Sequence, residues 1–148
     1  MMNRTSSCCF AAVLLGLVLQ LGCAERGLSG QRLPVVGTLS LDGKPVPYAV
    51  VEFSQDVERG EVQAAVVREG RFSLDAAAGL PAGAYSVAVT PYVPEIEEAG
   101  SLTPAERTRI AAAQTAIPEV YQKRGVLKAT VEGSGASALA LSMESKSK

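Results

Sequence analysis

Residues 35–54 read VVGTLSLDGKPVPYAVVEFS, and this stretch decides the fold class. Val35, Gly37, Leu39 and Leu41 alternate with Val36, Thr38 and Ser40, the period-two signature of a strand with one buried face. Asp42-Gly43 is a strong signal for a two-residue turn. Val51 and Phe53 then alternate with Glu52 and Ser54, so a second strand follows the turn.

The pattern repeats outward from there. Gln55 to Glu61 is a polar loop containing Gly60, and Val62 to Val67 reads as the next strand. Ala64-Ala65 weakens that strand, because alanine has low β propensity. Glu69-Gly70 turns the chain back into Phe72 and Leu74. Ala76 to Gly83 is a loop punctuated by Pro81 and Gly83. Tyr85, Val87 and Val89 alternate with Ser86, Ala88 and Thr90. Leu127, Ala129 and Val131 form a further strand, and Leu139, Leu141 and Met143 the last, joined through a flexible hairpin turn at Gly133 to Ser137. Short strands with regular turns and inward alternation predict an all-β, two-sheet sandwich over residues 33–143. Residues 144–148 read as a charged, frayed tail.

Pro91 to Pro118 breaks the β pattern. Thr103-Pro104-Ala105-Glu106 places an N-cap threonine, a proline at the first helical position and a glutamate at the third, which is a capping box. The spacing predicts one short helix running to about Ala116. Its apolar face is thin (Ile110, Ala113, Ile117), so it is expected at the sandwich edge.

The N-terminus has a different logic. Arg4 precedes a continuous apolar run, Phe10 to Leu19, and Gln20-Leu21-Gly22-Cys23 follows at once. A positive start, a short apolar core and a small residue before a cut describe a secretory signal helix over residues 1–22. The run is shorter than the ~20 apolar residues that a membrane span needs. The three cysteines are Cys8, Cys9 and Cys23, with none after position 23. Cys8 and Cys9 would leave with the signal, so no disulfide framework exists and Cys23 stands alone. Ala24 to Gln31 is short and polar, a tether within residues 23–32.

Leu21-Gly22-Cys23 resembles the lipobox of bacterial lipoproteins, although Gln20 stands where that family has an apolar residue and Leu21 where it has a small one. The resemblance implies acyl chains on Cys23 and attachment to the cell membrane or outer membrane. Ordinary signal peptidase cleavage is the alternative.

The domain itself resembles the carboxypeptidase-regulatory-like, or transthyretin-like, domain. Val36-Gly37-Thr38-Leu39-Ser40-Leu41-Asp42-Gly43-Lys44-Pro45-Val46 carries the likeness most specifically. Gly70-Arg71-Phe72 and Pro81-Ala82-Gly83-Ala84-Tyr85-Ser86-Val87-Ala88-Val89 add to it. The resemblance implies a seven-stranded Greek-key sandwich of immunoglobulin-like architecture and a non-catalytic role. Val67-Arg68-Glu69 departs from the family's usual approach to its G-x-F element, and the connection after Pro91 is longer than usual.

The composition narrows the chemistry. No histidine is present, which removes the commonest general base, the usual zinc ligand and any Ser-His-Asp or Cys-His site. No metal, cofactor or catalytic site is expected. Without Arg4, 14 Lys and Arg become 13, against 15 Asp and Glu, and this near-neutral balance argues against nucleic acid. Glu95, Glu97 and Glu98 form the densest acidic cluster and read as solvated loop charge. Gly43-Lys44-Pro45 lacks the frame of a phosphate loop. Tyr48, Tyr92 and Tyr121 are the candidates for a binding surface, although core or edge packing is the favoured role for each.

The sequence therefore predicts a membrane-tethered binding or structural module of the cell envelope, contacting a protein or glycan. A transthyretin-like small-ligand carrier working as an oligomer is the alternative.

Overall fold

A computed structural model describes residues 30–55, 61–133 and 135–145. The protein is mostly strand, in keeping with the all-β class. Eight strands form among the described residues: β1 (Val35–Leu41), β2 (Lys44–Pro45), β3 (Tyr48–Ser54), β4 (Val62–Arg68), β5 (Arg71–Leu74), β6 (Gly83–Thr90), β7 (Leu127–Val131) and β8 (Ser137–Met143). The weakly β-prone Ala64-Ala65 does form strand, with Ala65 buried in the core opposite its cross-strand partner Val51.

Two tight turns set the register. Asp42 (φ 50°) and Gly43 (φ 75°) are both left-handed, and so are Glu69 (φ 51°) and Gly70 (φ 72°). This is the turn geometry that matches strand twist in a two-residue hairpin. It pairs Leu41 with Lys44 and Arg68 with Arg71.

The strands form one curled sheet in the order β2-β1-β5-β4-β3-β6-β7, with β8 beside β1. All pairings are antiparallel except β1 with β8, which run parallel from Val35↔Ser137 to Leu41↔Met143. β4 and β5 are paired only at Arg68↔Arg71, so the sheet turns a corner there. Its inner face closes on Val35, Leu39, Val51, Phe53, Val67, Tyr85, Val87, Val89, Leu141 and Met143, all buried. Phe53 packs edge-on to Tyr85 at 6.4 Å and tilted against Phe72 at 5.9 Å.

Three expectations are corrected. The chain after Val131 does not return as a hairpin: β8 leaves β7 and pairs with β1, where Leu141 and Met143 reach the core. Second, the long connection holds two helices, α1 (Ile96–Ser101) and α2 (Pro104–Ala116), and a 3₁₀ turn (Glu119–Gln122). A residue before proline disfavours helical geometry, and Thr103 (ψ 157°) separates α1 from α2 accordingly. Third, Glu144 and Ser145 are tied down: Glu144 N–H donates to Tyr121 Oη at 3.0 Å and Ser145 N–H to Asp42 Oδ1 at 2.9 Å. The capping box of α2 is as read, with reciprocal Thr103 and Glu106 bonds at 2.8 and 3.3 Å.

Candidate interaction surface

The outer face of the sheet is built by the other half of each strand's alternation. Tyr48 opens β3 on that face, and Arg68 of β4 lies directly opposite it in register. Tyr92 follows β6, the strand on the far side of β3. The rings of Tyr48 and Tyr92 stack at 5.9 Å with planes 24° apart. The Arg68 guanidinium carbon stands 5.8 Å from the first ring centre and 5.5 Å from the second, within cation–π range of both.

The helical connection closes over this pair. From α1, Glu98 takes a hydrogen-bonded ion pair from Arg68 Nη2 at 2.8 Å and accepts the Tyr92 hydroxyl. From α2, Gln114 Nε2 donates to the Tyr92 carbonyl at 2.8 Å. Ile110 and Ala113 of α2 are buried against the tyrosines, with Val50 and Leu102 at the margin. Arg109 pairs with Glu69 at the β4–β5 turn. Further along, Gly125 N–H donates to Ser86 Oγ on the outward side of β6. The connection thus lies across the face of central strand β3 rather than at the sandwich edge expected from its thin apolar stripe. Ile117 instead joins the main core.

The electrostatics are those of a fastening. Hydrogen bonds from Tyr92 and then Arg68 hold the Glu98 carboxyl below the ordinary carboxylate range. Burial first, and the bond to Glu98 second, push the Tyr92 phenol up. The bond to Glu98 raises Arg68 further. Glu98 is therefore not the solvated loop charge expected of it; an ionised carboxylate there is neutralised on the spot. Among the described residues, no group of three His, Cys, Asp or Glu is placed to hold a metal ion.

The structure brings Tyr48 and Tyr92 together and leaves Tyr121 apart, on the 3₁₀ turn and in the main core. All three are buried, with 6%, 6% and 8% of their surface exposed, so their rings pack and do not present themselves to a partner. Cys23 lies outside the described residues. No helix among the described residues is long and apolar enough to cross a membrane.

The open part of the outer face lies elsewhere. A groove of about 800 Å³ is lined by Val36, Val66, Leu139, Phe72, Arg68 and Arg71, with small residues of β1, β5 and β8 between them. Val36 and Val66 are 48% and 43% exposed. The sequence carried a signal for it, valines at the outward positions of two strands, which the core-facing reading passed over. Arg68 was legible only as a departure from a motif, and its partner Glu98 stands thirty residues away.

No protein-family model, curated protein or solved structure was found to match the chain.

Proposed function

We propose that the chain is an exported, non-catalytic module of the cell envelope, held to the membrane by acyl chains on Cys23 and binding an envelope protein or glycan. The observation that carries this reading is the run Phe10 to Leu19 ending at Leu21-Gly22-Cys23, with no cysteine beyond it. Several acyl chains on one cysteine anchor firmly, whereas a single chain anchors only marginally.

We read the β domain as a transthyretin-like Greek-key sandwich. Two features support this. The spatial order β6-β3-β4-β5 has three consecutive strands with the fourth returning beside the first, the Greek-key order. The Tyr85 hydroxyl donates to the Pro81 carbonyl at 2.7 Å, four residues upstream at the entry to β6, in the manner of the tyrosine corner of such sandwiches. On that frame we assign binding to the helical connection, since loops on a rigid sandwich commonly carry it.

Mass analysis of the mature N-terminus is the direct test. The expected species begins at Cys23 and carries diacylglycerol and an amide-linked acyl chain. An unmodified Cys23, or a cut elsewhere, rejects the anchor. Deleting Val93 to Ala113 then tests the module: a folded domain that no longer retains its envelope partner is expected, and an unfolded one assigns the connection to the core.

A further inference from the structure

We propose that the outer face centred on Arg68 pairs with a second copy of this chain, the α1 segment of each copy seating in the groove of the other. The exposed large hydrophobics are not scattered. Of the six among the described residues, four fall in two places: Val36 and Val66 line the groove, and Val93 and Ile96 stand just ahead of and at the start of α1. Ile96 is 92% and Val93 73% exposed, more than any others. Apolar side chains so fully presented on a short loop-borne helix stabilise nothing within the chain.

The two places are complementary in charge as well as in apolar character. Glu95 and Glu97 flank Ile96, and neither has a basic partner among the described residues. The groove contains Arg71, which has no acidic partner among the described residues. An apolar ridge edged with carboxylates thus meets an apolar groove holding a guanidinium. Charge matching of this kind sets orientation and excludes wrong partners.

One residue joins the halves. Arg68 lines the groove and also grips Glu98 of α1, so ridge and groove are neighbours on one face. Adjacent complementary halves are what a two-fold, self-complementary interface needs: a rotation that brings one ridge to the partner's groove brings the other ridge home as well. A small-molecule occupant fits less well. Ligand sites place convergent polar groups in an enclosed cavity, and no buried side-chain polar atom among the described residues lacks a partner. This inference concerns the outer face alone and stands or falls independently of the lipid anchor.

The test uses the full chain in the membranes of the cells that make it. A photoreactive benzoylphenylalanine replaces Ile96, an exposed position whose exchange leaves the core untouched. Irradiation is expected to give a product of twice the mass, with the cross-link on peptides carrying Val36, Val66 or Leu139. Arg71→Glu should lower that yield by about tenfold, because like charges would then face each other. Adding Glu95→Arg and Glu97→Arg to the same chain should restore it. Cross-links to a different protein, cross-links away from the groove, a yield indifferent to Arg71→Glu, or failure of the charge exchange to restore pairing would each overturn the proposal.

Discussion

The guanidinium carbon of Arg68 lies 5.5 Å from the centre of the Tyr92 ring, while the hydroxyl of that same tyrosine donates to the carboxylate that Arg68 pairs with, Glu98. One cation therefore acts twice, through the π face of the ring and through the acid bound at its rim. The consequence is mechanical. Arg68 belongs to the rigid sheet and Glu98 to the helical connection, so their contact fixes the second to the first.

Arg68→Ala should loosen the connection before it harms the sheet. The cation–π part is worth about 0.5–1 kcal/mol at a half-exposed site, and the denaturation midpoint should fall by a corresponding amount. Limited proteolysis should show more, with cleavage rising within residues 93–116, because local opening is governed by few contacts. Arg68→Lys should recover less than half of the loss, since an ammonium cannot stack as a planar fork on the ring while bonding the acid. Unchanged proteolysis in Arg68→Ala would refute the fastening.

The same contact gives the protein an acid-sensitive element. Glu98 is held below its ordinary value, so its contribution is fully present above the unfolded value of about 4.3 and is lost as pH falls through the lower folded value. Tyrosine near-ultraviolet circular dichroism, which senses the stacked Tyr48 and Tyr92, should therefore change below about pH 4.3 before global unfolding. Glu98→Gln should show the altered spectrum already at neutral pH and no further step in that acid window. A wild-type acid step that survives in Glu98→Gln would locate the switch elsewhere.

Gly37 is required by its neighbour, not by its own backbone. A Cβ built there would come within 2.2 Å of the Phe72 ring, and that ring is packed on Phe53. Gly37→Ala should cost roughly 1–3 kcal/mol as an overpacking change. Phe72→Leu, which removes the ring edge, should be destabilising alone but should make the added methyl at position 37 nearly neutral. Additive losses in the double variant, read from denaturant midpoints, would contradict this account.

Much of the frame was legible because it is local. Asp42-Gly43 and Glu69-Gly70 announce two-residue turns, and Thr103 to Glu106 a capped helix, from adjacent residues alone. Period-two alternation likewise marked Val35 to Leu41 and Tyr85 to Val89. What escaped depends on distant partners. Nothing within Ser137 to Met143 says that it will lie parallel to β1 rather than return on β7; that choice is made by a strand about one hundred residues earlier. Packing was already the expected role of Tyr48 and Tyr92 ahead of a binding surface; what the sequence left open is that Ile110 and Ala113 cover them, which only three-dimensional closure of the connection decides.

The parallel β8 also explains why Tyr121 keeps its hydroxyl. Running β8 beside β1 brings residue 144 to the 3₁₀ turn, where Glu144 N–H finds Tyr121 Oη, and residue 145 to the Asp42 turn. Backbone donation from Ser145 holds the Asp42 carboxyl below its ordinary value. Tyr121→Phe should accelerate amide exchange at Glu144 and Ser145 with a global loss of about 1 kcal/mol or less, the net worth of one hydrogen bond. Loss of the whole sheet's protection in this variant would show that the contact is part of the core rather than a clasp on its end.

Tyr85 poses the sharpest test of the crossover between β5 and β6. Its ring is in the core against Phe53, and its hydroxyl donates to the buried Pro81 carbonyl at 2.7 Å while accepting from Gln55 Nε2 at 3.1 Å. Tyr85→Phe keeps the ring and strands the carbonyl, which should cost about 1–3 kcal/mol, more than a typical surface hydrogen bond. Gln55→Ala removes only the partly exposed donor and should cost less. Burial pushes the Tyr85 phenol up, so it keeps its proton in the folded state at pH values where the unfolded chain begins to lose it. The raised folded value makes this contribution complete below the unfolded value of about 10 and lost as pH rises through the folded one. Urea midpoints of the wild type and Tyr85→Phe should therefore converge only on the alkaline side. A gap that widens above pH 10, or a phenylalanine variant as stable as the wild type at neutral pH, would show that the Pro81 carbonyl finds its proton donor elsewhere.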